Sequence, residues 1–131
     1  IDAGRSYVDW PLMQGEFFPS GSFELTPVWR NFFEDAGLVQ FTHRMLGYAV
    51  LLLGLVFAWR AARPGLKALR ARGMWVAGAL FAQVVIGIVT VMNASPIEIA
   101  IFHQAGALVV VWLLMRARFA AMYPSTQRIT A

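Results

Sequence analysis

The chain has 131 residues, of which 59% are hydrophobic and only 14% are charged, whereas a soluble domain carries about 25% charged residues. This deficit indicates a protein whose solvent is lipid. The net charge of +4 does not indicate a nucleic-acid-binding protein, because the basic residues lie beside apolar segments, where the cytoplasmic loops of a membrane protein are expected. The lack of cysteine excludes disulfides, thiolate metal sites and cysteine nucleophiles.

The N-terminal segment, residues 1–35, is polar and aromatic and is interrupted by three prolines. It opens without Met, on Ile1-Asp2-Ala3-Gly4, which predicts a piece of a longer protein. It has no helical or strand period, and its aromatic rings suit the headgroup interface. We therefore expect an irregular extramembrane segment that lies on the membrane surface or caps the helices.

Three apolar spans follow, and they predict an all-α membrane protein. Each span has about 20 residues or more, enough to cross a hydrocarbon core of about 30 Å. The predicted bundle covers 36–119, with spans at about 36–59, 73–92 and 96–115, a basic link at 60–72 that contains Pro64-Gly65, a tight turn at 93–95 and a cytoplasmic tail at 120–131.

Capping residues predict where two of these helices begin. Asp35 is a natural N-cap for the first span. Before the third span, Ser95, Pro96 and Glu98 have the pattern of a capping box with proline at the first helical position. We expect helices to start directly after Asp35 and Ser95.

The charges predict the orientation of the chain in the membrane. The 60–72 link and the end of the third span are basic, whereas residues 1–35 hold six of the seven acidic residues. The positive-inside rule then assigns the link to the cytoplasm or mitochondrial matrix. The chain is predicted to be a multi-pass protein of the bacterial plasma membrane or the mitochondrial inner membrane.

The only two histidines are predicted to lie at one depth. His43 and His103 are each eight residues beyond their predicted caps, roughly 12 Å into the outer half of the membrane. An ionisable residue at such a depth is costly and usually faces the interior of the bundle with a partner. Two of them at one level predict a shared ligand.

The residues around the histidines suit a flat, bulky cofactor. Gly47 follows His43 by four residues, and Gly106 and Ala107 follow His103 by three and four, so that each lies on the same helix face as its histidine. Small side chains there leave room for a macrocycle against the backbone.

Polar residues beside the histidines are candidates for further contacts. Arg44 is predicted to pair with a propionate, because arginine suits bidentate carboxylate contacts. Gln40 and Gln104 are predicted to bond the outer atoms of a cofactor or a ring nitrogen.

Three interpretations of the histidine pair are open at this point. The histidines can be interhelical hydrogen-bonding residues, with the glycines as ordinary packing positions. A zinc site is disfavoured, because two histidines without a nearby carboxylate or thiolate leave tetrahedral zinc under-coordinated. Haem iron needs only two axial ligands from the protein, so the ligand count favours a haem held by His43 and His103.

An ordered set of short motifs resembles the second half of haem A synthase. The resemblance covers the chain from Ile1 to about Met115. The motifs are Asp2-Ala3-Gly4, Phe18-Pro19, Arg30-Asn31 with Glu34, Val39-Gln40-Phe41-Thr42-His43-Arg44, Gln83-Val84, Gly87-Ile88-Val89-Thr90 and His103-Gln104.

That family has eight spanning helices in two similar four-helix halves, each with a histidine pair. The resemblance implies that the C-terminal half holds a haem b through the positions of His43 and His103. It also implies that the N-terminal half takes haem O, whose ring methyl is oxidised to a formyl group to give haem A for cytochrome oxidase. Gln40 stands where the N-terminal half has a glutamate, which favours a cofactor role for this half.

The resemblance leaves the first half and one helix of the second half unmatched. This chain alone is therefore predicted to lack the substrate site and to contribute electron transfer and a wall against the substrate half. Its expected partners are the lipid bilayer, the N-terminal half, a haem O synthase and an electron donor. The alternatives are a bis-histidine cytochrome b module for electron transfer and a cofactor-free membrane assembly subunit.

Overall fold

The computed structural model describes residues 3–63 and 66–123, and these ranges are helical apart from loops and one isolated bridge between Met13 and Glu16. The predicted all-α class and the three helices long and apolar enough to cross a membrane are confirmed. Each long helix has 26 residues, roughly 39 Å of rise. The elements are α1 Ala3–Ser6, a 3₁₀ turn Val28–Arg30, α2 Asn31–Glu34, α3 Ala36–Ala61, α4 Lys67–Met92 and α5 Ile97–Met122.

Two of the long helices extend beyond the predicted spans at their basic ends. α4 begins at Lys67 rather than near residue 73, and α5 continues to Met122 rather than ending near 115. A helix keeps its backbone hydrogen bonds beyond the hydrocarbon core, and long basic side chains reach the interface from there. The Pro64-Gly65 pair and the tail from 124 lie outside the described residues.

Of the two predicted N-caps, one is confirmed and the other is wrong. Asp35 Oδ1 accepts a hydrogen bond of 2.6 Å from the backbone N–H of Leu38, as an N-cap should. Helix α5 is instead capped at Pro96, without a side-chain hydrogen bond. Ser95 has a φ of +52°, and its hydroxyl donates to the carbonyl of Gly4 at 2.7 Å. The serine joins the N-terminal segment to the α4–α5 turn and does not form a capping box.

Helix α4 lies between α3 and α5 and packs along both. We call the end of the bundle that carries residues 3–35 and the α4–α5 turn the outer end, and the end that carries the α3–α4 link the inner end. The buried core lies toward the inner end and is formed by Val76, Leu80, Val110 and Ala117.

Small residues bring α3 and α4 close together in the core. A Cβ added at Gly54 would collide with the Leu80 side chain, so the leucine packs directly on the glycine backbone. A Cβ at Gly73 would lie 3.1 Å from the Cα of Ala58 and 3.0 Å from the Cβ of Ala61. Close backbone approach at small residues is the usual packing of helices in membranes.

The N-terminal segment, residues 3–35, forms a cap over the outer end of α3, and Asn31 organises its later part. The Asn31 side chain is fully buried. Its amide nitrogen donates to the carbonyls of Leu25 and Val28 at 2.9 and 2.8 Å, and its oxygen accepts from the Leu25 N–H at 3.0 Å. One side chain therefore satisfies three backbone groups of an irregular loop.

Candidate functional site: a histidine-lined cavity

A cavity of about 580 Å³ occupies the outer half of the bundle. This volume is within the range of about 300–1,000 Å³ that is typical of ligand pockets. The core residues Leu80 and Val110 line it from the inner side, while Gly4 and Trp10 of the cap line it at the outer end. Residues of α3, α4 and α5 form the walls, and most of that surface is apolar.

The structure brings both histidines into this cavity. His43 is the eighth residue of α3 and His103 the seventh of α5, so the two lie at nearly one level. Their ring centroids are 6.1 Å apart and the ring planes are inclined at 75°. Because α3 and α5 pack mainly on α4, the two rings face each other across the space that α4 keeps between them.

His103 has an unsatisfied polar atom. Its Nδ1 is buried and has no hydrogen-bond partner among the described residues. A Cβ added at Gly87 of α4 would lie 3.1 Å from the His103 Cε1. The lack of a side chain at Gly87 therefore leaves room for the imidazole ring of His103. A buried ring nitrogen without a partner requires an explanation, and a ligand that organises the ring would supply one.

The small residues predicted beside the histidines have different surroundings. Gly47 and Ala107 line the cavity, and the space above Gly47 is open. Gly106 does not leave room for a macrocycle, because the amide of Gln83 covers it. The residue spacing within α5 could not predict this contact, because Gln83 belongs to the neighbouring helix α4.

Arg44 lies at the outer mouth of the cavity and bonds the cap. Its guanidinium donates to the carbonyls of Leu12 and Asp9 at 3.0 and 2.9 Å, and to those of Tyr7 and Pro11 at 3.3 and 3.5 Å. These bonds fix its positive charge beside the cavity and tie the cap to the residue that follows His43.

The two glutamines that are predicted to contact a cofactor have different surroundings. Gln40 is buried, lines the cavity and donates from Nε2 to the carbonyl of Tyr7 at 2.7 Å, while its Oε1 is buried and without a partner in the described residues. Gln104 is exposed and does not line the cavity. Only Gln40 is placed to contact a molecule between the histidines.

Sequence reasoning missed three contributors to the site. One is Gly87, because no local feature of α4 or α5 predicts that His103 packs against it. Trp10 donates from Nε1 to the Tyr48 hydroxyl at 2.7 Å, and both line the cavity. An aromatic residue in an irregular segment gives no periodic signal, so only the folded cap could place Trp10 there.

A carboxylate lies close to the same mouth. The backbone N–H of Gln14 lowers the pKa of Asp9, and the N–H of Gly15, 3.3 Å from Oδ2, and the charge of Arg44 act in the same direction. Asp9 is therefore an anion at neutral pH. The Asp9 anion of the cap and the Arg44 cation of α3 therefore lie near each other at the edge of an apolar cavity.

The donor set suits a cofactor that brings most of its own ligands. Among the described residues, no group of three or more His, Cys, Asp or Glu side chains could hold a metal ion. His43 and His103 are two imidazole donors with ring centres 6.1 Å apart at one cavity, which fits the need of a haem iron for only two ligands from the protein.

Comparison with known proteins gives the family. Residues 1–115 match the family described as "Cytochrome oxidase assembly protein". Proteins named "Heme A synthase" are similar along most of the chain: 57% identical in Dinoroseobacter shibae, 53% in Ruegeria sp. strain TM1040 and 48% in Jannaschia sp. strain CCS1. The matches cover 95%, 95% and 98% of this chain.

The chain spans about a third of the length of these relatives, namely 32%, 32% and 34%. No solved structure matches it. The family match covers the cap, all of α3 and α4, and α5 past His103, so it includes every residue that lines the cavity. The chain is a multi-pass membrane protein that belongs to the haem A synthase family.

Proposed function

We propose that this chain is the C-terminal, haem b-binding part of haem A synthase, the enzyme that oxidises the ring methyl of haem O to a formyl group. The observation that carries the proposal is the pair His43 and His103, 6.1 Å apart across a cavity of about 580 Å³. The unsatisfied Nδ1 of His103 supports a ligand there rather than a simple contact between helices.

Each polar residue of the cavity has a role in this proposal. His43 and His103 would hold the iron, and Gly87 would leave space for the His103 ring. Arg44, fixed by cap carbonyls, would offer positive charge to the propionates, and the free Oε1 of Gln40 would accept a hydrogen bond. A bis-histidine haem supplies one-electron transfer.

The oxidation itself belongs to the complete enzyme. The matched relatives are about three times as long as this chain, and the proposed substrate site lies in a part that this chain lacks. The proposed setting is the bacterial inner membrane, with the rest of the enzyme, a haem O synthase and an electron donor as partners. In that setting this chain would pass electrons and form one wall of the interface with the substrate half.

The test is a reduced-minus-oxidised optical spectrum of the purified protein and of three alanine variants. His43→Ala and His103→Ala should each lose at least about nine-tenths of a b-type absorption band, because each removes an axial ligand. Gln104→Ala is the control, since Gln104 neighbours His103 but is exposed and outside the cavity. An unchanged band in both histidine variants would refute the ligand assignment.

The same cavity also suits the alternative of a bis-histidine cytochrome b that only transfers electrons. Pigment analysis of cells that express the complete protein separates the two. Accumulation of haem A or its alcohol intermediate supports the synthase, whereas a b-type band without either product supports the cytochrome. A colourless preparation that folds independently of haem supply would overturn both and favour an assembly subunit.

A further inference from the structure

A second cavity lies at the inner end of the bundle, apart from the histidine site. It has a volume of about 520 Å³, and none of its lining residues lines the histidine cavity. We call it the inner groove. Its lining consists of Arg72 from α4 and Trp112, Met115, Arg116 and Phe119 from α5.

The inner groove combines two guanidinium groups with an apolar floor. Arg72 and Arg116 come from neighbouring antiparallel helices, and the Arg116 Cζ lies 4.8 Å from the centre of the Trp112 ring. Met115 and Phe119 are 67% and 64% exposed, although both are large and apolar. Such a surface places positive charge, which suits a polar headgroup, beside apolar side chains, which suit an acyl chain.

The charges at this end of the molecule select the kind of ligand. The seven acidic residues all lie before residue 36 or at Glu98, so no carboxylate side chain belongs to the inner ends of the helices. Arginine residues of α3, α4 and α5 lie at this inner end, and they make the electrostatic potential at the groove positive. Guanidinium groups match phosphate in both geometry and charge.

The inner groove also lies where an anionic lipid is available. By the positive-inside rule the arginine-rich end faces the cytoplasmic leaflet, which carries anionic headgroups. Basic pockets between membrane helices on that side are suited to phospholipid headgroups. The stacking of Arg116 on Trp112 holds the guanidinium against the groove, one helical turn back toward the middle of the bundle.

We propose that the inner groove is a binding site for an anionic phospholipid, whose phosphate lies between Arg72 and Arg116 and whose acyl chain runs along Met115 and Trp112 toward the middle of the bundle. This lipid site does not depend on a haem in the outer cavity. A negative result for lipid binding would therefore leave the proposed haem function untouched, and the reverse also holds. The bound lipid would join α4 to α5 at the end of the bundle opposite the histidines.

The experiment is native mass spectrometry of the detergent-purified full chain, titrated with phosphatidylglycerol or with phosphatidylcholine of the same acyl chains. The measured quantity is the apparent Kd for the first retained lipid. We expect preferential retention of phosphatidylglycerol. Arg72→Gln combined with Arg116→Gln should raise that Kd about 30-fold and each single change about fivefold, from the usual contribution of one arginine near an anionic headgroup.

The matched control is Arg63→Gln combined with Arg118→Gln. It removes the same charge from the same end, and Arg63 also stacks on a tryptophan, with its Cζ 4.4 Å from the Trp59 ring centre, but neither arginine lines the groove. The control should change the Kd less than about twofold. Circular dichroism checks that both double variants keep their helices.

Three results would overturn the proposal. Equal losses in the groove variant and the control would mean that overall charge, and not the groove, holds the lipid. Equal retention of phosphatidylcholine would mean that the headgroup charge is not recognised. Displacement of the lipid by millimolar inorganic phosphate would assign the site to free phosphate rather than to a phospholipid.

Discussion

The outer and inner halves of the helix bundle are built by different means. In the inner half, glycine and alanine let α3 and α4 approach closely, and Val76, Leu80, Val110 and Ala117 fill the space between the helices. In the outer half the same helices enclose a cavity, and Arg44 of α3 and Ser95 of the α4–α5 turn both donate hydrogen bonds to carbonyls of the cap.

This contrast shows how a three-helix unit can enclose a large cavity without losing its fold. Apolar packing at one end provides stability, because small residues there maximise contact between helices. The other end encloses a cavity because a loop holds the helix ends, through hydrogen bonds with Arg44 and Ser95 and through the packing of Phe17 and Phe18 on Phe41.

The largest effect on stability is expected in the packed inner half. Leu80→Ala would leave a void against Gly54 and should lower the free energy of unfolding by about 2–5 kcal/mol. The measurement is unfolding in mixed micelles with increasing denaturing detergent, followed by circular dichroism. Leu53→Ala is the control, because Leu53 is 67% exposed on α3 and its loss should be much smaller. Equal losses would show that the core is not the source of stability.

Substitutions in the outer half are expected to reduce haem binding while the helices stay folded. Gly87→Leu places a side chain where the His103 ring lies and should reduce haem content about tenfold or more while the helices persist. Gly78→Leu is the matched control on the same helix, since nothing lies within 4 Å of a Cβ at Gly78. Haem content by pyridine haemochromogen assay distinguishes the two, and the same content in both variants would contradict the site.

The start of α3 should depend on one carboxylate. Asp35→Ala removes the acceptor of the Leu38 N–H and should cost about 1 kcal/mol of unfolding free energy. Asp35→Asn keeps an acceptor in the same place and should recover most of that loss. Both are measured by the same detergent unfolding, and a loss in the asparagine variant as large as in the alanine variant would argue against capping.

The smallest effect is expected on the exposed surface of the cap. Arg30 hydrogen-bonds Glu34 at 3.0 Å and lowers the pKa of that carboxyl below its usual 4.5. The stabilisation is therefore present above the ordinary pKa and is lost as the pH falls through the lowered value. Glu34→Gln should be slightly less stable than the parent at pH 7, and the difference should shrink as the pH is lowered below 4.5. A difference that persists in acid would assign the effect to another contact.

Much of the fold follows from local features of the sequence. Long apolar stretches predict the three helices, since only a helix satisfies its own backbone in lipid. Asp35 predicts the start of α3, because its side chain bonds a backbone group only three residues away. The proximity of His43 and His103 follows from counting residues along two helices that start at the same end.

Other features depend on residues that are distant in the chain. Ser95 carries a local capping signal, yet its hydroxyl bonds Gly4, 91 positions away, and the helix starts at Pro96 instead. Gly106 is small, yet Gln83 of another helix takes the space above it. Arg44 is placed beside a histidine by sequence, but which carbonyls it bonds depends on the path of an irregular segment.

Composition, spacing within one helix and short motifs are enough to predict a lipid environment, three spanning helices, the common depth of the histidines and the resemblance to haem A synthase. The folded arrangement was needed to show that the helices enclose a cavity, that Gly87 faces His103, and that the cap is bonded to Arg44 and Ser95. Contacts between helices depend on how the helices rotate and pack against one another, which no single segment encodes.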